Sequence, residues 1–219
     1  MKHFSLCLLF FLFLSQIEGN AQVEAMKQSP VLFGDFTQGS VVQKNRMVTK
    51  VPLNYDCINQ EMHFIQGGEQ LILDNLDRIE SVTVGDRRFI PHANHFLEVI
   101  AFSDYTLYID WKTKIANRGK KGAMGQVTHG GTITQADVSL MRHEAPDFKD
   151  TNVYEVIPQN TYYLSVDGEK MKKFNTLKAF CKFFPQDKEA SIREFVTAEK
   201  IDMQKPEHIY KLVRFISSQ

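Results

Sequence analysis

Long apolar runs, cysteines and an excess of either charge are all scarce in this chain of 219 residues. The longest apolar stretch, Leu6 to Leu14, falls short of the about 20 residues that a membrane-crossing helix needs, and no later segment is long or uncharged enough. No transmembrane span is therefore expected in the mature chain. Of three cysteines, Cys7 sits inside that apolar stretch, away from any cleavage point, so it cannot become a lipid-bearing first residue. Cys57 and Cys181 remain. They suffice for one disulfide in an oxidising compartment, or for two buried thiols that pack as small apolar groups. Lys and Arg number 26 and Asp and Glu 26, so the formal net charge is zero and the basic footprint of a nucleic-acid-binding domain is missing. Also missing are the P-loop pattern, the dinucleotide fingerprint and the G-x-S-x-G elbow of serine hydrolases. No cofactor and no metal site are expected.

What is present begins with an export signal. Lys2, the apolar run and the small residues Gly19 and Ala21 make residues 1–21 a secretory leader, cut near Ala21. The expected destination is the periplasm or the exterior.

From there the chain alternates short apolar runs with turn residues. "EMHFI" and "QLILD" flank Gly67-Gly68, "SVTV" and "RRFIP" flank Gly85-Asp86, and "TYYLSV" and "EKMKKF" flank Asp167-Gly168. Each pair of residues between strands suits the positive φ of a tight hairpin turn. "NHFLEVIAF" and "DYTLYIDW" add two strands, the second alternating Tyr105, Leu107, Ile109 and Trp111 against Thr106, Tyr108 and Asp110. After Phe174 the period becomes helical. Leu177, Phe180, Cys181 and Phe184 form a first stripe behind an Asn175 cap; Asp187 caps a second helix carrying Ile192, Phe195 and Val196; Pro206 opens a third carrying Ile209, Leu212, Val213 and Ile216. The expected fold is α+β: an antiparallel β-meander, sandwich-like or half-barrel-like, over residues 22–174, with a three-helix segment at 175–219 packed on it.

"LNYDCINQEMHF" (53–64), "IESVTVGDRRFIP" (79–91), "HFLEVI" (95–100) and "IREFVTAEKIDMQKPEHIYKLVRF" (192–215) resemble uncharacterised exported proteins of Bacteroidota. The resemblance implies a Gram-negative envelope location and supplies no activity and no site residues.

Four features invite a chemical reading. Residues 111–136 hold five glycines, Lys112, Lys114, Arg118, Lys120 and Lys121, and no Asp or Glu, whereas residues 22–110 carry 7 basic and 12 acidic side chains. Glycine and polar composition favours a slack, solvated loop. A docking surface for anionic envelope groups ranks second, and a phosphate grip last, because Gly119, Gly122 and Gly125 match neither nucleotide pattern. His92, His95 and Glu98 follow one another at intervals of three, but in extended chain such residues alternate faces, and only a turn at Ala93-Asn94 would bring the histidines together. His63 and His143 have no ligand partner that spacing identifies. Cys57 as a nucleophile ranks low, since one cysteine and scattered histidines do not define a site. In "NYD", Asn54 and Asp56 suit side-chain bonds to turn amides, with Tyr55 covering apolar surface.

The expected function is non-enzymatic: an exported envelope protein binding or scaffolding a partner, either an envelope protein or an anionic surface, through loops and strand edges. The alternative is a periplasmic hydrolase acting on glycans or peptides.

Overall fold

The computed structural model describes residues 30–121, 127–128 and 152–219. The fold is α+β. Its strands are β1 (Thr37–Gln43), β2 (Val48–Asp56), β3 (Glu61–Gln66), β4 (Glu69–Ile72), β5 (Ile79–Val84), β6 (Arg87–His92), β7 (His95–Ala101), β8 (Tyr105–Asp110), β9 (Thr113–Lys121), β10 (Val127–Thr128), β11 (Asn152–Pro158), β12 (Thr161–Val166) and β13 (Lys172–Phe174). Ten form one open, mostly antiparallel sheet in the order β13-β12-β8-β7-β6-β5-β1-β2-β3-β4, and three form a small sheet, β10-β9-β11. Helices α1 (Leu177–Cys181), α2 (Gln186–Ala198) and α3 (Pro206–Ser217) follow. No helix among the described residues is long and apolar enough to cross a membrane.

Two compact units are separable, one within residues 28–100 and 108–161, the other within 101–107 and 162–219. In the first, the hairpins turn where glycine predicted. Gly67 and Gly68, at φ 62° and 86°, join Gln66 to its partner Glu69, and Gly85, at φ 59°, lies between the partners Val84 and Arg87. Along β2 the pleat sends Leu53 and Tyr55 into the core, where Tyr55 stacks on Phe89 at 6.0 Å between ring centroids. Burying each such ring contributes about 1.5–3 kcal/mol. Gly39 in β1 is required for a different reason: a Cβ there would collide with the Thr83 carbonyl of β5 and lie 2.7 Å from Leu53 Cδ1.

The expectation of slack after Trp111 fails over Thr113–Lys121, which is strand β9. It pairs antiparallel with β11, from Thr113 opposite Pro158 to Lys120 opposite Asn152, with a register shift at Val153/Tyr154. Backbone pairing to a strand some forty residues away overrides the local preference of glycine for loop. Residues 122–126 and 129–151, with Gly122, Gly125 and His143, lie outside the described residues.

The second unit is held by aromatic rings. Asp167 and Gly168, at φ 49° and 75°, close the β12–β13 hairpin, in which Tyr162 faces Phe174. Phe174 and Phe180 sit 5.2 Å apart and Phe180 and Phe184 5.0 Å, so α1 lays its stripe on β13. Its cap is Thr176, whose hydroxyl accepts from the Ala179 amide at 3.2 Å, one residue later than the Asn175 expected. Likewise α2 starts behind Pro185, and Asp187 falls in its first turn instead of capping it. Pro206 opens α3 as read from sequence, and Ile209, Leu212, Val213 and Ile216 are all buried.

Candidate functional site

The polar concentration with most chemical content lies at the turn between β2 and β3. Asn54 faces His63 and Asp56 faces Glu61 across the ladder, with Tyr55 opposite Met62 between them. Because side chains alternate along a strand, Asn54, Asp56, Glu61 and His63 share one face, while Tyr55 and Met62 fill the core behind. The turn fixes the carboxylate. Asp56 Oδ1 accepts from the amides of Ile58 at 2.8 Å and Asn59 at 3.2 Å, the local bonding that "NYD" predicted, and Oδ2 accepts from Asn59 Nδ2 at 3.2 Å. His63 Nε2 stands 3.3 Å from Glu61 Oε2 and 4.0 Å from Asp56 Oδ2. Behind the ring, Gln70 Nε2 of β4 meets His63 Nδ1 at 2.6 Å. Asp56 and His63 are 4% and 6% exposed.

An N-terminal segment completes the place. Val31 bridges to Asp56, the Leu32 amide donates to the Tyr55 carbonyl and the Cys57 amide to the Pro30 carbonyl, both at 2.9 Å. The Asn54 side chain clamps the next residue, donating to the Phe33 carbonyl at 2.9 Å and accepting from its amide at 3.2 Å. Beyond Phe33 the chain leaves the sheet. The gap between Gly34–Phe36 and Asn54, Asp56, His63 and Gln70 is a cavity of about 240 Å³.

A second polar cluster is fully internal. Arg87 donates from Nε and a terminal nitrogen to the two oxygens of Glu98, both at 2.7 Å, and Trp111 Nε1 donates to the same carboxylate at 2.6 Å. The guanidinium also lies 5.1 Å from the Phe33 ring and 5.2 Å from the Trp111 ring, within cation–π range. This explains why Glu98 does not join the histidines. The turn at Ala93–Asn94 does form, with Ala93 at φ 51°, and it brings the His92 and His95 rings to 5.6 Å. His95 Nε2 lies 3.4 Å from Asp110 Oδ1 without hydrogen-bond geometry, and Gln60 Nε2 donates to that same oxygen at 2.6 Å.

Of the five basic residues singled out, Lys112 and Lys114 are exposed, and Arg118, Lys120 and Lys121 belong to the β9 backbone, their side chains lying outside the described residues. Gly119 sits inside a strand, opposite Val153, and the strand runs on through Lys121. Cys57 and Cys181 carry free, buried thiols. Burial raises both thiol pKa values above the ordinary 9.0, and for Cys57 the neighbouring Asp56 carboxylate adds to the rise, so Cys57 offers no thiolate at neutral pH.

Sequence reading missed His63 and the carboxylates around it. The usable signal was "DCINQEMH", in which a four-residue turn puts Asp56 opposite Glu61, two residues before His63 on the same face.

No family model, curated protein or solved structure matches the chain. The class that fold and site define is an α+β protein with an open antiparallel sheet and, among the described residues, a cluster of two carboxylates and a histidine, of which Asp56 and His63 line the cavity.

Proposed function

We propose that this chain is an exported, non-enzymatic envelope protein of a Gram-negative cell, and that it receives an extended segment of a partner protein along β4. The observation that carries this reading is a strand edge without a pairing strand among the described residues. β4 ends the ten-stranded order, and its Leu71 and Ile72 are 38% and 51% exposed. An edge strand presents a row of backbone donors and acceptors that an added strand can satisfy, while its exposed side chains select the partner. Residues 69–77 contain Glu69, Asp74 and Asp77, all exposed, and no Lys or Arg, which favours a segment bearing basic residues. The leader at 1–21 and the resemblance to exported Bacteroidota proteins support the envelope location.

The second reading, a periplasmic hydrolase acting on glycans or peptides, draws on the convergence of Asp56, Glu61 and His63, of which Asp56 and His63 line the cavity. Turnover of envelope glycans or peptides by the wild-type chain, lost in Glu61→Gln, would favour it.

The test of the edge reading uses a photo-crosslinking residue at position 72 and, as control, at the exposed Lys211 of α3, in native envelope preparations. A discrete protein adduct from position 72 alone is expected. Equal labelling at both positions, or none, removes the reading. Adducts to lipid or lipopolysaccharide would transfer it to an anionic surface and to Lys112 and Lys114.

A further inference from the structure

We propose that Asp56, Glu61 and His63 form a binding site for a first-row divalent transition-metal ion of the Zn2+ type, open on one side to the cavity beneath Gly34–Phe36. The inference does not require the edge reading, since its three ligands lie on β2 and β3, although Gln70 beside them belongs to β4.

Donor spacing comes first. One ligand atom from each residue lies within 4.8 Å of the other two, and among the described residues this is the one group of three His, Cys, Asp or Glu that meets the condition. Bonds of about 2.0–2.1 Å to a tetrahedral ion set its donors about 3.3–3.4 Å apart. The His63–Glu61 separation of 3.3 Å is already there, and the His63–Asp56 separation of 4.0 Å needs a contraction of about half an ångström. Asp56 is pinned by two backbone amides, so the His63 ring supplies the movement, and Glu61, whose side chain is 36% exposed, can follow it.

Electrostatics points the same way. Two carboxylates face one imidazole on a largely buried face, and a divalent ion among them offsets their mutual repulsion. Donor chemistry then restricts the ion. Imidazole with two carboxylates suits Zn2+ and its first-row neighbours, Ca2+ and Mg2+ prefer all-oxygen cages, and the lack of thiolate or thioether donors disfavours Cu(I). Three protein ligands leave a coordination position for water or a ligand, directed at the cavity.

The outer contact is in place as well. Gln70 now donates from Nε2 to His63 Nδ1, which leaves the ring proton on Nε2 facing Glu61. Metal binding exchanges these roles: the proton moves to Nδ1, the Gln70 amide turns its oxygen to accept it, and the bare Nε2 binds the ion. Such an outer partner orients a ligating histidine and tunes its affinity.

The experiment is calorimetric titration of the untagged mature chain with Zn2+ alone, beside 15N-detected NMR of the histidine rings. One ion per chain is expected, with the His63 Nε2 resonance shifting from a protonated to a metal-bound position. Glu61→Gln, a half-exposed change that leaves the core intact, is expected to weaken binding at least tenfold with no change in melting temperature without metal. Gln70→Ala is expected to weaken it by about 10–100-fold. His92→Gln is expected to change nothing, and Ca2+ is expected not to compete. The proposal is overturned if Zn2+ produces no heat and no ring shift, if Glu61→Gln binds as well as wild type, or if the NMR reports protonation of His63 in place of metal ligation.

Discussion

Arg87 and Glu98 meet in the core of the first unit through two parallel hydrogen bonds of 2.7 Å, and the Trp111 ring nitrogen locks the same carboxylate from a third direction. Both partners are nearly inaccessible, at 6% and 2% exposure, so neither charge has water to fall back on. Removing one side alone therefore strands the other. Arg87→Met alone is expected to lower stability by about 3–5 kcal/mol, whereas Arg87→Met combined with Glu98→Gln, which keeps an acceptor for Trp111, should cost much less than Arg87→Met and Glu98→Gln added together. Urea denaturation of the four proteins of this cycle measures it.

Gly39→Ala tests the close approach of β1 and β5. A methyl group would press on the Thr83 carbonyl, a backbone atom that cannot swing aside. A loss of about 1–3 kcal/mol is expected, read from thermal or chemical melting, and a neutral result would mean that the two strands can separate slightly at no cost.

Alkaline pH should destabilise the fold through Cys57 and Tyr55. Burial is the main cause raising both pKa values, above 9.0 for the thiol and 10.0 for the phenol. Between pH 9 and 10 the unfolded chain loses the thiol proton while the folded chain keeps it, so stability present below that range declines as pH rises, by up to about 1.4 kcal/mol per unit for each such group. Cys57→Ala should flatten the decline between pH 9 and 10 and leave the Tyr55 contribution above pH 10. Denaturation midpoints across pH 7–11 decide the matter.

Thr176→Ala removes the hydroxyl that accepts from the Ala179 amide and should cost about 0.5–2 kcal/mol, whereas Asn175→Ala should cost little. A larger loss for Asn175→Ala than for Thr176→Ala would place the α1 cap at Asn175 instead.

These contrasts show which parts of the fold local sequence encodes. Gly67-Gly68, Gly85-Asp86 and Asp167-Gly168 are legible because a positive φ is a property of one or two residues, and the α3 stripe is legible because its period lies within twelve residues. The α1 cap shifts by one residue because neighbouring polar side chains compete for the same amides, whereas α2 opens behind Pro185 with no side-chain cap. Strand β9 is illegible from its glycines and lysines, since its partner β11 starts at Asn152. The Asp56, Glu61 and His63 cluster sits between these cases. Its members are seven residues apart at most, yet they converge only after turn length and register are known, and Gln70 joins them from a third strand.

The grip of Asn54 on Phe33, together with the strand-like bonds of Pro30 and Leu32, sets how far the front of the molecule can be trimmed. Proteolysis that stops before Pro30 should spare the cavity, while removal through Phe36 would take away one wall and leave the Asp56 and His63 side chains facing open solvent. An exopeptidase ladder, scored by Zn2+ retention, would locate that boundary to the residue.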